Sequence, residues 1–208
     1  MKLGDIKVEA LKLMFMGGAM EIGADQLLDF ADDHTYGYYL SRMPGAINRA
    51  FAVIERKGVL PLRAVQLTAP ESGVARFHLP GVAPDLYEVA RVSWHRHGVY
   101  EPNENYMLEG GDLIVHDFDK DADYRLVYHP RIERIGAGTS DETEIDIPDE
   151  IAELIPYAIK GDLFRDDDSD EADAARARFE YALDEIRRSH APDFAGAVQT
   201  VYGMGWMQ

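Results

Sequence analysis

The side chains best suited to chemistry are carboxylates and imidazoles at short, regular spacings. Asp117, Asp119, Asp121 and Asp123 stand at every second position, a pattern that suits oxygen ligation of calcium. A helix–loop–helix calcium loop also needs glycine at its sixth position and glutamate at its twelfth. Those positions are Ala122 and Tyr128, so the match fails. An acidic turn between two strands is the preferred reading. Trp94-His95-Arg96-His97, with His116 further on, is the second candidate. On a strand, His95 and His97 share one face, and His116 on a nearby strand would add a third imidazole. No fourth ligand is specified. Two readings stand, a metal site or, preferred, surface histidines on strands. The third cluster is Asp166, Asp167, Asp168, Asp170 and Glu171, whose charges suit the N-terminus of a helix.

Nothing else in the sequence points to catalysis. There is no G-x-S-x-G, P-loop, dinucleotide fingerprint or H-E-x-x-H. There is no cysteine, which excludes a disulfide framework, a thiolate zinc site and a cysteine nucleophile. The expectation is no enzyme, no catalytic residue, no cofactor and no bound metal.

Charge narrows the partners. Lys plus Arg is 21 against 38 Asp plus Glu, a net charge of −17. Such a surface repels phosphate backbones and disfavours anionic membranes. Residues 141–170 alone hold 12 acids and 2 bases, which predicts a solvated or channel-facing negative wall. No apolar run approaches the ~18–20 residues of a membrane span. The start of the chain scatters Lys2, Lys7, Glu9 and Lys12 through its apolar residues, unlike a signal peptide. Folding in the cytoplasm is therefore expected.

Three blocks of periodicity must position these groups. The first third is helical, with Leu3, Ile6, Leu11 and Met14 on one face and a stop at Gly17-Gly18. Residues 24–30 form a short helix, and residues 32–35 cap a longer one. That helix carries Tyr36, Tyr39, Met43, Ile47, Phe51 and Ile54, with Pro44 expected to kink or restart it and Gly58 to close it. From about residue 62 to 135 the period falls to two. About six short strands are expected, including one that carries Phe77 and Leu79, a hairpin at Gly110-Gly111 and a last strand from Tyr124 that runs on through Ile132. The final third returns to helix, first over residues 148–163 with a kink at Pro156, then from Asp168 or Ser169 to about residue 190.

The reading is an α+β fold. Residues 1–60 and 141–190 form one helical bundle, and residues 61–140 form an inserted antiparallel β-sandwich or small barrel. Residues 191–208 differ in kind, being apolar and nearly uncharged. Such a segment either packs back on its own helices or docks on another protein. Phe194, Val198, Val201, Tyr202, Met204, Trp206 and Met207 are its candidate docking residues.

Several phrases together resemble the head-to-tail adaptor proteins of tailed bacteriophages, including the tail tubular and tail accessory proteins. They are M-K-L-G-D-I-K-V-E-A-L-K-L-M-F at residues 1–15 and Tyr39-Leu40-x3-Pro44-x2-Ile47-Asn48-Arg49-Ala50. Others are Y-R-L-V-Y-H-P-R-I from Tyr124, I-P-D-E-I-A-E-L-I-P-Y-A-I-K-G-D-L-F from Ile147, and A-R-x-R-F-E-Y-A-L in the last helix. The likeness lies in layout and short phrases across residues 1–190, and residues 191–208 match no such pattern. It implies a structural virion protein in the head–tail neck, assembled in the host cytoplasm. The family forms rings, usually of about twelve subunits, beneath the portal. Such a ring extends the DNA channel, lets DNA pass without specific binding, and gives tail or neck proteins a platform. The resemblance makes residues 194–207 a candidate anchor on the portal. The alternatives are another neck, stopper or baseplate component, or a ligand- or metal-binding β-sandwich.

Overall fold

The structure, a computed structural model, describes residues 1–16, 23–69, 71–96 and 98–190. In chain order the first helices are α1 (Leu3–Leu11), α2 (Leu27–Ala31) and α3 (His34–Lys57). Strands β1 (Arg63–Leu67) and β2 (Gly73–His78) follow, then the single turn α4 (Leu79–Val82). Next come β3 (Leu86–Arg96), β4 (Val99–Asn103), β5 (Tyr106–Glu109), β6 (Asp112–Phe118) and β7 (Tyr124–Pro130). The chain closes with α5 (Asp149–Ala152), α6 (Ile155–Leu163) and α7 (Ser169–His190). The fold is α+β, with helices toward both ends of the chain and antiparallel sheets between them.

Two compact units divide the chain. One holds Met1–Ala50, Ala137–Ile145 and the described residues from Asp149 to His190; the other holds Phe51–Gly136 with Asp146–Pro148. The sheet unit thus takes in the last two turns of α3, beyond the 60/61 boundary read from the sequence. Glu55 in those turns binds the segment that follows β7, which accounts for the shift.

In the helical unit, α1 packs on α6 and α6 on α7. Leu3, Ile6, Leu11, Ile155, Ile159 and Leu183 are fully buried, so α1, α6 and α7 share one core. A π-helical turn, Lys12–Met16, extends α1. Asp33 caps α3, its Oδ1 accepting the N–H groups of Thr35 at 2.8 Å and Tyr36 at 3.0 Å. The hydrogen bonds from Tyr36 and Thr35 hold this carboxyl below its ordinary pKa. Asp168 caps α7 in the same way, accepting the N–H of Glu171.

Two proline expectations change. Pro44 does not restart α3, which runs unbroken for 24 residues. The cost of an interior proline, about 3 kcal/mol, is offset by the long buried face carrying Met43 and Ile47. Pro156 does not kink one helix but lies in the first turn of a separate one, α6, after a break at Glu153–Leu154. The first turn has no intrahelical use for its N–H groups, so proline is tolerated there.

Glycine has a steric role where α6 meets α7. A methyl group on Gly161 would stand 2.9 Å from Arg176 Cβ, 3.1 Å from its backbone N and 3.2 Å from the Ala172 carbonyl oxygen. Backbone cannot swing aside, so the helices would have to part. Gly161→Ala should cost about 1–3 kcal/mol. A fall in melting temperature read by circular dichroism checks this; an unchanged melt would contradict the close crossing.

The sheet unit is a two-sheet sandwich. The sheets run β1-β7-β3-β4 and β2-β6-β5, and every pairing is antiparallel. Leu67, Val92, Tyr124 and Leu126 from the first sheet meet Phe77, Leu113, Val115 and Phe118 from the second. Phe118 stacks on Tyr124 at 4.4 Å, joining the two layers. The hairpin forms as read. Gly110 and Gly111 both have positive φ, as a two-residue turn between Glu109 and Asp112 requires. Gly58 closes α3 at φ +63, with the His129 ring 3.3 Å from where a Cβ would stand. Three details differ from expectation. Among the described residues there are seven strands, because β4 pairs along β3 despite Pro102. An edge strand tolerates a missing donor. Leu79 begins α4 rather than extending β2, and β7 ends at Pro130 rather than running through Ile132.

Candidate functional site

The clusters read from sequence are taken up in different ways. Asp117 and Asp119 flank the end of β6, and Asp117 has φ +53. Its carboxylate accepts the amide N–H of Asn105 at 2.8 Å. Asp119 Oδ1 accepts the N–H of Asp121 at 3.0 Å, and Lys120 pairs with Asp121. Asp123 accepts the phenol of Tyr100, and Arg125 lies over that ring at 3.9 Å. The hydrogen bond to Asp123 raises the Tyr100 pKa. These carboxylates point into separate local contacts instead of converging.

Of the three histidines, the two described ones stand in different sheets. His95 is exposed on β3 beside Tyr100, whereas His116 lies on β6 in the other sheet. His97 lies outside the described residues, as do Phe194, Val198, Val201, Tyr202, Met204, Trp206 and Met207. Among the described residues no three His, Asp or Glu side chains are placed to hold a metal. No helix among them is long and apolar enough to cross a membrane.

The acidic stretch at 141–170 is not one free wall. Asp141 pairs with Lys7, Glu142 with Lys2, Asp149 with the N-terminal amine and Asp162 with Arg49. Asp167 accepts the phenol of Tyr39, whose pKa is pushed up to about 12 by burial and then by that bond. The acids therefore tie the two ends of the chain within the helical unit. A count of charges could not show this, because the partners stand more than a hundred residues away.

The sheet unit holds a polar hub that sequence reasoning did not find. Arg63 at the start of β1 reaches both Asp85 and Asp146. Tyr128 donates to Asp85 Oδ1 at 2.8 Å. Burial would push the Asp85 carboxyl up, but the bonds from Tyr128, its own N–H and Arg63 outweigh it and hold the pKa low. Burial and the Asp85 contact push Tyr128 up to about 12. Beside the hub, Leu60, Pro61, Pro130, Ile132 and Ile147 line a concavity of about 330 Å³, with Arg63 and Asp146 on its wall. A second anchor is Glu55, 3% exposed, whose carboxylate accepts the Ile132 N–H at 2.7 Å and pairs with Arg134. The geometry is that of a pinned stem where the chain enters and leaves the sandwich.

The chain matches no known family model and no curated protein.

Proposed function

We propose that this protein is a structural adaptor of a phage neck, forming a ring beneath the portal and carrying the tail. The observation that supports it is the layout. Helices α1, α6 and α7 pack together in one unit, and a two-sheet sandwich with its own core lies between α3 and α5 in chain order. That is the arrangement implied by the resemblance carried at Tyr39–Ala50, Tyr124–Ile132 and Ile147–Phe164. The net charge of −17 fits a channel wall along which DNA slides without adhering. Residues 194–207 serve as the anchor on the portal in this reading.

Negative-stain electron microscopy of the purified protein, with and without portal from the same genome, tests it. Closed rings, or a new collar on the portal, are expected. A chain ending at His190 should melt as cooperatively as the full chain yet lose the collar. Particles of 23.4 kDa that never join portal would overturn the reading. Binding to tail tube or baseplate in place of portal would move the protein to another neck, stopper or baseplate position.

A further inference from the structure

We propose that the three-stranded sheet is the surface through which copies of this chain join head to tail, β5 of one copy pairing with β2 of the next. The inference rests on the ring reading above and assigns its contact. The strand order β2-β6-β5 leaves β2 and β5 as the two edges, and among the described residues neither has a second strand beside it. Each edge also exposes apolar side chains. Val74 on β2 is 71% exposed, and Met107 and Leu108 on β5 are 44% and 53% exposed.

Edge strands are usually guarded by charge, proline or bulges. β4, the edge of the other sheet, carries Glu101 and Pro102, and β2 has Arg76 and an irregular register between Gly73 and Ala75, so β5 is the less guarded edge of its sheet. β5 reads Y-M-L-E, with no proline or lysine and a single charge at its end. Its outward backbone groups can be identified. The two-residue turn makes Glu109 and Asp112 a hydrogen-bonded pair, and the Asn105 carbonyl accepts the His116 N–H at 2.9 Å. By alternation, Tyr106 and Leu108 turn their N–H and C=O groups away from β6.

Charge is complementary across the two edges. β2 carries the exposed Arg76, while Glu104 and Glu109 stand exposed at the two ends of β5. Within one copy Arg76 already reaches across the sheet to Asp112 at 3.0 Å and Glu109 at 3.5 Å. Pairing β5 with the next β2 repeats that order of charge from copy to copy. β2 and β5 both run antiparallel to β6, so they run the same way. A small rotation per copy keeps that direction and gives a parallel pairing. Because the two edges differ, the contact is heterologous, the kind that forms a ring when the rotation per copy closes. The net charge of −17 opposes it at long range, so assembly needs salt; at 0.15 M the screening length is ~8 Å.

The test uses the full chain at that ionic strength, with size-exclusion light scattering, microscopy and thermal melts. Leu108→Pro removes an outward N–H, and Val74→Asp puts a charge on the opposite edge. Each should fold like wild type and self-associate at least about tenfold more weakly. Mixed in equal amounts they should give discrete dimers, since each supplies the edge the other lacks. Should Leu108→Pro lower the melting temperature, Leu108→Lys takes its place. Wild-type rings from both variants would overturn the edge contact and leave the ring reading standing. Dimers of Val74→Asp alone would also overturn it, by showing β5 paired with itself. A wild type that stays monomeric, with portal or without, removes both.

Discussion

Replacing Phe118 with alanine should destabilise the sandwich by about 3–5 kcal/mol, the largest effect expected of any single truncation here. Phe118 is 2% exposed at the end of β6. Its ring stacks on Tyr124 of the opposite sheet at 4.4 Å and tilts against Phe77 at 5.6 Å. Alanine leaves a void between two sheets whose ladders hold them too rigidly to collapse into it. Lost contacts and the residual cavity therefore add. Whole domains have only about 5–15 kcal/mol of stability, so the unit would lie near its unfolding midpoint. Phe118→Leu, which keeps most of the volume, should cost less than half as much. Urea titration followed by Trp94 emission, in a Trp206→Phe background, reads the change, since Trp94 lies 5.8 Å from Tyr124. An unchanged midpoint for Phe118→Ala would mean that the sheets do not meet through this ring.

Glu55→Ala should cost about 2–4 kcal/mol through a different mechanism. The carboxylate is buried, yet it has two partners. It accepts the Ile132 N–H and pairs with Arg134, whose side chain is 41% exposed. Alanine strands the Ile132 N–H away from water, and that unmade bond is the main loss. Arg134 can turn to solvent, so its share is smaller. Glu55→Gln keeps an acceptor for Ile132 and should lose roughly half as much. Amide hydrogen exchange at Ile132 provides the direct readout, with protection falling sharply in the alanine variant and little in the glutamine one. If protection at Ile132 survives Glu55→Ala, the stem is held by something else.

Local chemistry was legible in the chain wherever a residue type has a single use. Gly110-Gly111 between two apolar runs could only be a tight hairpin, and the structure has it. Asp33 and Asp168 precede apolar periodic segments, and both cap helices. β4 was illegible because Glu101 and Pro102 break the alternation that marks a half-buried strand; an edge position removes the need for it. The break between α5 and α6 was read as a kink because Pro156 fits either inside a bent helix or in the first turn of a new one. Glu55 looked like any surface glutamate on a long helix.

The candidate site divides along the same line. The histidine pattern at 95–97 and 116 shows how little spacing decides: His95 and His116 are two good strand positions in two different sheets. The acids of 141–170 were counted correctly and most are exposed, but Asp141, Glu142, Asp149 and Asp162 pair with Lys7, Lys2, the N-terminal amine and Arg49, which no charge count could show. Sequence by itself determined the α+β class, the order of helical and extended blocks, the main turns and the acidic surface. These follow from periodicity, glycine and proline stereochemistry, and charge, all properties of neighbouring residues. Tertiary structure alone decided which strands are edges, which charges are spent inside the molecule, and that Arg63, Asp85, Tyr128 and Asp146 form one hub. Those facts depend on contacts between residues far apart in the chain, and no local pattern encodes which distant partner a side chain will meet.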